Sequence, residues 1–397
     1  MSDFNESGRI LVTCAKAMPI WLAGELRALG FPIVRELEAG VETSGCLTDT
    51  LRLNLNLRTA HRVLFMVYEG VAENADQLYQ AINALPWENY IPPDDHLCVN
   101  SAVDNPTIND TRFAGLKCKD AIVDRLRAQT GRRPDSGNDP TGAVVFLYWR
   151  GQHFAIYLDT SGEPLSRRGY RKIPGHAPMQ ETLAAGVMLA TGWSGSDNLI
   201  NPMCGSGTLA IEGALIALNR APGLLRSAFG FQHLVGFDPL VWETVRRDTR
   251  ATGRKKIEGK IIATDINPAA VAASRQNALT AGVDHLIEFA TCDFTASPVP
   301  PGGGAVIFNP EYGERLGDEN KLTSIYFGIG DFLKQRCQGY RGYVFTGNLQ
   351  LAKRIGLRSV RRLPFFNSRI ECRLLEFELY AGSRRPPLPD NNLSLGS

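Results

Sequence analysis

NPMCGSGT, Asn201 to Thr208, is the stretch on which the fold is decided. It follows a short apolar strand predicted over 198–200. It runs straight into a helix whose apolar positions are Leu209, Ile211, Ala214, Leu215 and Leu218, with Pro222-Gly223 as its stop. A G-x-G turn between strand and helix lets a ligand approach the backbone closely, because no Cβ holds it away. Further strand–helix units follow. A strand over 261–265 ends in Asp265, with Asn267 as helix cap, Pro268 at the first helical position and Gly282 at the end. A third strand, 286–290, leads to Asp293. A fourth, 305–308, is entered from Pro300-Pro301-Gly302-Gly303-Gly304 and opens into FNPEYGER, Phe308 to Arg315. Residues 342–346 make a fifth, and 370–380 alternate as a closing antiparallel strand. The pattern predicts a doubly wound α/β sheet.

In such a sheet the ligand lies at the carboxyl ends of the strands. Here those ends carry, in order, a glycine turn, a carboxylate, a second carboxylate and Asn-Pro-Glu-Tyr. Asp265 can accept two hydrogen bonds from a ribose diol, and Asp293 can take an adenine amine. Asn309 offers an amide oxygen, Pro310 a carbonyl left over where the ladder stops, and Tyr312 a ring face, a set that can grip a planar amine. Taken singly, each has a plainer reading. Strand-end aspartates cap helices, and FNPEYGER alone reads as a strand-ending turn with a packed tyrosine. The order along four strands argues for the site. A nicotinamide enzyme fits less well, because the turn is G-S-G-T and the acidic residue stands sixty positions after Gly205 instead of about 20. A P-loop is excluded, since no G-K-[ST] follows the glycines.

The first half reads as small α+β units. Residues 10–14 form a strand, a helix begins at Pro19 and closes at Gly30, and strands follow at 32–37 and 40–45. LRLNLNLR, residues 51–58, alternates apolar and polar with period two and on pattern alone is a strand. A strand over 63–68, a helix over 75–85 and a strand over 97–103 come next. A long amphipathic helix is predicted from Thr111 to Ala128, with Leu116, Ile122, Val123 and Leu126 buried. Arg150-Gly151-Gln152 joins two strands, 143–149 and 153–158, as a hairpin. No catalytic spacing occurs in this half. A cationic loop, LSRRGYRKIPGHAPMQETLAA from Leu165, joins it to the sheet.

Over 397 residues the composition is ordinary, with 44% apolar and 21% charged residues and a net charge of +2, which gives no bulk argument for nucleic acid. The cations nevertheless come in patches, at 112–133, 167–172, 246–256 and 353–362. No apolar run is long enough for a bilayer, and MSDFNESGRI lacks the layout of a secretory signal. Eight scattered cysteines read as reduced thiols of a cytoplasmic protein. Neither they nor the six histidines have metal-ligand spacing, so no metal is implied.

NPMCGSGT, ATDINP, CDF and FNPEYGER in this order resemble the motifs of class I S-adenosylmethionine-dependent methyltransferases that act on amines. SRRGYR, ETLAA, ECRLLEFELY and FAGLKCKDAIVDRLRAQTGRRP narrow the likeness. Together they resemble the bacterial 23S rRNA guanine-N2 methyltransferases with an RNA-binding THUMP domain, once described as adenine-N6 DNA methylases, in their single-module form. The resemblance implies a ferredoxin-like unit (1–62), a THUMP domain (63–160), a Rossmann-like methyltransferase domain (165–382) and a disordered tail (383–397). It also implies that LRLNLNLR is helical, and that reading is adopted. Asn201, Gly205, Gly207 and Thr208 would line the S-adenosylmethionine site. Asp265 would hold the ribose, Ile266 would lie on the adenine, and Asp293 and Phe294 would hold its amine and ring. Asn309 and the Pro310 carbonyl would accept from the target amine, and Tyr312 would stack on the extruded base. Arg112, Lys117, Lys119, Arg167, Arg168, Tyr170 and Arg171 are the candidate RNA contacts. The implied partner is 23S rRNA or a large-subunit assembly intermediate, with no membrane and no obligate protein partner.

Two departures stand out. The family motif usually reads N-P-P-Y, whereas position 311 is Glu, which frees φ and adds a charge beside the substrate. That carboxylate either meets the guanine edge or turns away to pair with a nearby arginine. Asn201 stands where related enzymes often have Asp. An adenine-N6 DNA methyltransferase, or an RNA-binding protein with a decayed site, are the competing readings.

Overall fold

The computed structural model describes residues 4–108, 110–173, 179–312 and 319–380. The residues 313–315 of FNPEYGER, part of the cationic loop and the expected disordered tail lie outside these.

The first half is one eight-stranded sheet. In chain order its elements are β1 (Gly8–Cys14), α1 (Pro19–Ala28), β2 (Arg35–Leu37), β3 (Gly40–Gly45), α2 (Leu47–Asn56), β4 (Ala60–Val71), α3 (Ala75–Asn83), β5 (His96–Asp104), α4 (Thr111–Thr130), β6 (Asp135–Gly137), β7 (Ala143–Arg150) and β8 (His153–Asp159). The strand order is β2-β3-β1-β4-β8-β7-β5-β6. The twelve-residue β4 pairs antiparallel with β1 on one side and β8 on the other. The expected division at 62/63 therefore falls inside a shared strand.

LRLNLNLR is helical as far as Asn56, as the resemblance implies, and the period-two pattern misleads for a specific reason. In α2 two polar residues, Thr50 and Asn54, are buried along with the leucines, while Arg52 is exposed. Asn54 Nδ2 donates to Thr160 Oγ1 at 2.8 Å, and Ser161 Oγ donates to Asn54 Oδ1 at 2.6 Å. Satisfied in this way, a buried asparagine costs little, and the buried side of the helix can take in Asn54 between the leucines. In α4 the buried stripe is Ala114, Cys118, Ala121, Ile122 and Leu126. That stripe turns Leu116 outwards, so the expected burial of Leu116 is corrected: it is 53% exposed.

The second half follows α5 (Glu181–Thr191) with β9 (Asn198–Pro202), α6 (Thr208–Ala217), α7 (Pro239–Ala251), β10 (Ile261–Asp265), α8 (Pro268–Ala281), β11 (Ile287–Thr291), β12 (Gly304–Phe308), α9 (Glu319–Arg336), β13 (Tyr340–Thr346), α10 (Leu349–Ala352), β14 (Arg361–Asn367) and β15 (Ile370–Glu378). The order is β11-β10-β9-β12-β13-β15-β14, parallel except that β15 runs antiparallel to β13 and β14. The strands β9, β12 and β13 are almost wholly buried, as a parallel sheet covered by helices requires. The sequence pattern does not predict β14. Its sequence, RRLPFFN, is charged and contains Pro364, which an edge strand tolerates.

Candidate active site

β11, β10, β9 and β12 are neighbours in the sheet, so their carboxyl ends stand side by side. After β9 the chain turns through Met203, at φ 56°, and Cys204, whose N–H donates to Thr264 O at 2.9 Å. Gly205 (φ 55°) and Gly207 (φ 83°) take the left-handed conformation, for different reasons. A Cβ at Gly207 would overlap Ser274 Oγ and stand 3.1 Å from Ser274 Cβ, so Gly207 lets the turn sit against α8. A Cβ at Gly205 would meet nothing within 4 Å. Gly205 therefore leaves open space beside the turn, room that a ligand can use. Burial, aided by the nearby Asp265 charge, pushes the Cys204 thiol up to about 12, so it stays un-ionised and is not a nucleophile.

Asp265 supports the turn directly: its Oδ2 accepts from Gly205 N at 2.9 Å and its Oδ1 from Asn267 N at 2.9 Å. Each carboxylate oxygen keeps a lone pair for a diol. Ile266, beside it, is 69% exposed and offers an apolar surface for a flat ring. Asp293 Oδ1 accepts from Thr295 N and Oγ1 at 2.9 and 2.6 Å, and the residue is exposed. The Phe294 ring stands edge-on to Phe308 and Phe332 at 6.0 and 6.4 Å, which ties the β11 end to β12. Asn201 is buried; its Nδ2 donates to Ile307 O at 3.0 Å, and its Oδ1 has no partner. Thr208 opens α6.

At the end of β12 Asn309 is half-buried and Pro310 buried. Asn309 Oδ1 is a buried acceptor without a partner. Such an atom carries an unrecovered desolvation cost unless a donor arrives, so it asks for an N–H, as the buried Asn201 Oδ1 also does. Tyr312 is half-buried. Its hydroxyl accepts from Asn367 Nδ2 at 2.8 Å, and its ring lies edge-on to Phe345 at 6.2 Å. Burial holds its phenol well above the usual range. Glu311 is exposed and pairs with no cation among the described residues, so the expected arginine partner is not found there.

The candidate RNA residues divide. Arg112 (87% side-chain exposure, paired with Asp110 at 2.8 Å), Lys117 and Lys119 lie on α4, with Lys117 over the Tyr79 and Phe113 rings at 5.9 and 5.7 Å. Arg167 is exposed and pairs with Glu163. Arg168 and Tyr170 are corrections: each is only 1% exposed, so neither can touch RNA. Arg168 donates to Leu165 O at 2.6 Å and to Arg58 O, and it faces the fully buried Glu212 at 3.5 Å. Tyr170 OH donates to Glu212 Oε1 at 3.1 Å; burial, then the Glu212 and Glu181 charges, raise its pKa strongly. These contacts join α6 to the first half of the chain. Arg171 is also turned inward, donating to Met179 O at 2.5 Å and to Thr208 Oγ1 at 3.1 Å.

Sequence reasoning missed Asn277. Buried on α8, its Oδ1 accepts from Lys172 N and Ile173 N (2.9 and 3.2 Å), while its Nδ2 donates to Ser206 O at 3.1 Å. It thereby holds the cationic loop against the glycine turn. The only signal was a poor helix former in mid-helix.

The strand order 3-2-1-4-5-7-6, with a reversed seventh strand, defines a class I methyltransferase fold. Residues 168–376 match the RMKL-like methyltransferase domain, residues 9–64 the RlmL ferredoxin-like domain and residues 72–159 the THUMP domain. The chain belongs to the RMKL-like methyltransferase family. It is 38% identical over 396 residues to ribosomal RNA large subunit methyltransferase K/L of Syntrophotalea carbinolica, covering 96% of this chain and 55% of that protein. It is 36% identical over 368 residues to "Putative RNA methyltransferase slr0064" of Synechocystis, covering 93% and 96%. The chain thus spans about half the length of the K/L relatives and nearly all of the Synechocystis one. The crystal structure of SMU.472 complexed with SAH is similar at a TM-score of 0.86 and 25% identity, over 95% of this chain and all of that one. Among the described residues no helix is long and apolar enough to cross a membrane, and no group of side chains could hold a metal ion.

Proposed function

We propose that this protein methylates the exocyclic N2 amine of a guanine in 23S rRNA, in the cytoplasm, with S-adenosylmethionine as donor. The observation that carries the reading is the buried, partnerless Asn309 Oδ1 beside Pro310 at the end of β12. The relatives' names, the THUMP match and the SAH-bound neighbour support it.

The donor residues fit an adenosyl ligand: open space at Gly205, a diol acceptor in Asp265, the exposed Ile266 surface, and Asp293 with an unused oxygen. When bound, S-adenosylmethionine supplies a methyl group on an electron-poor sulfonium. The chain's own part is positioning. An aromatic amine's lone pair is delocalised into its ring; acceptors at Asn309 Oδ1 and Pro310 O on its two hydrogens draw the nitrogen towards tetrahedral geometry and aim the lone pair outward. Transfer then needs orientation and fixed dipoles, with no covalent enzyme intermediate. A paired base cannot reach such a group, so the target is unpaired or flipped out. Stacking on Tyr312 would return roughly 1–3 kcal/mol of that cost. The Glu311 carboxylate, exposed and unpaired among described residues, is free to accept from the guanine edge. On α4 the cations Arg112, Lys117 and Lys119 serve as RNA contacts of the THUMP unit (63–160).

Calorimetric binding of S-adenosylmethionine, followed by methyl transfer to undermethylated 23S rRNA and to DNA, tests the reading. Transfer to 23S rRNA is expected. Transfer only to DNA would establish an adenine-N6 enzyme instead, and donor binding without transfer would establish a decayed site. Asn309→Ala is expected to abolish turnover with donor affinity retained, whereas Asp265→Ala weakens donor affinity. Near-normal turnover in Asn309→Ala would remove the acceptor assignment.

A further inference from the structure

Three groups far from FNPEYGER in sequence converge on it. Asn367, the last residue of β14, donates its Nδ2 to the Tyr312 hydroxyl at 2.8 Å, and that hydroxyl also meets the Cys372 thiol on β15. Gly347, just after β13, leaves room for the ring: a Cβ there would stand 2.9 and 3.0 Å from Tyr312 Cδ2 and Cε2. From α9 the Tyr326 hydroxyl donates to Glu311 O at 3.4 Å and bonds Thr346 Oγ1 at 2.7 Å. The ring of Tyr312 is thus held at its hydroxyl end by the β14–β15 hairpin, at one edge by β13 and at its preceding carbonyl by α9. A half-buried tyrosine hydroxyl needs a partner in any case; here that partner comes from a separate hairpin, so the plane of the ring is tied to β14.

We propose that Asn367 is a positioning residue: through the Tyr312 hydroxyl it fixes the ring plane against which the target base stacks, so the antiparallel hairpin sets the orientation of the accepted amine. This rests on the role proposed above for the Asn309–Tyr312 loop. The physical reason is directional. A phenyl ring on a loop can rotate about χ1 and χ2, and a base stacked on it would carry its amine out of line with Asn309 and Pro310 by the same rotation. A misplacement of about 1 Å at such a group costs far more in rate than in affinity. A single neutral hydrogen bond is worth about 0.5–1.5 kcal/mol, or roughly two- to tenfold.

The test is a double-mutant cycle of Asn367→Ala and Tyr312→Phe. It is read by S-adenosylhomocysteine calorimetry, by kcat and KM for undermethylated 23S rRNA, and by hydrogen exchange over residues 305–312. Each single variant is expected to bind S-adenosylhomocysteine as wild type does and to lose kcat by roughly two- to tenfold with little change in KM. The double variant falls no lower than the weaker single one, because both remove the same bond. Exchange at 311 and 312 is expected to rise about tenfold in Asn367→Ala, with the β9–β13 core unchanged. Wild-type kcat in Tyr312→Phe, or losses that multiply in the double variant, would overturn the proposal. Should the wild-type protein transfer nothing to 23S rRNA, the functional reading fails on its own; the exchange measurement still decides the clamp, and unchanged exchange at 311 and 312 overturns it.

Discussion

Arg168→Ala separates two accounts of the cationic loop. The side chain is 1% exposed; it donates to Leu165 O at 2.6 Å and to Arg58 O, and its Nε lies 3.5 Å from the carboxylate of the fully buried Glu212. Truncation leaves two buried carbonyls short of a donor and Glu212 without its nearest ion partner, retaining Tyr170 OH at 3.1 Å and the charge of the buried Arg58. Breaking a buried ion pair from one side costs about 3–5 kcal/mol, and the lost carbonyl bonds fall within that figure because they share the same guanidinium. For a domain of this size that lowers the melting temperature by roughly 10 °C. The assay is thermal unfolding followed by circular dichroism, alongside RNA binding at several salt concentrations. Arg168→Met combined with Glu212→Gln is expected to recover most of the loss, since it fills the volume and removes the uncompensated charge. The reasoning fails if Arg168→Ala melts within 2 °C of wild type while RNA affinity falls and its salt slope drops by about one.

Three further outcomes follow from the site and its surroundings. Gly207→Ala is expected to destabilise the fold by about 2 kcal/mol or more, because φ 83° disfavours a side chain and Ser274 occupies the space; Gly205→Ala, with open space around it, costs about 1 kcal/mol of strain and acts mainly on donor affinity. Melting temperatures and donor dissociation constants of the two variants check this, and a Gly207→Ala protein as stable as wild type would contradict it. Burial, helped by the Arg168 and Arg62 charges, lowers His61 from 6.5 to about 4. The folded-state pKa lies below the unfolded one, so this contribution is whole above pH 6.5 and is lost as pH falls towards 4, by up to about 3 kcal/mol. His61→Gln should flatten the stability profile across that window, and superimposable wild-type and variant profiles would show that His61 is not the group responsible.

Much of the catalytic half is legible in local patterning. Apolar runs of strand length, each followed by a capping residue, a first-turn proline or a glycine turn, mark the strand–helix units from Asn201 to Asn309 in their order. A β-strand or a helix cap is specified by residues a few positions apart. The chemistry at the strand ends is legible for the same reason: Asp265, Asp293 and Asn309 sit where the local pattern stops. Packing between distant segments decided the rest. SRRGYR looks like a cationic loop for RNA, yet Arg168, Tyr170 and Arg171 face inward, since α6 brings Glu212 and Thr208 to meet them from some 40 positions away. LRLNLNLR has the period of a strand, and the chain makes it a helix because Thr160 and Ser161, a hundred residues on, supply the partners that let Asn54 be buried. FNPEYGER carries the proposed amine acceptors, Asn309 and Pro310, in its sequence. Its grip on Tyr312, from Asn367, Gly347 and Tyr326, exists only once β13, the β14–β15 hairpin and α9 converge. Whether a charge is solvated or a ring held depends on the surface packed against it, and that surface is a property of the assembled sheet.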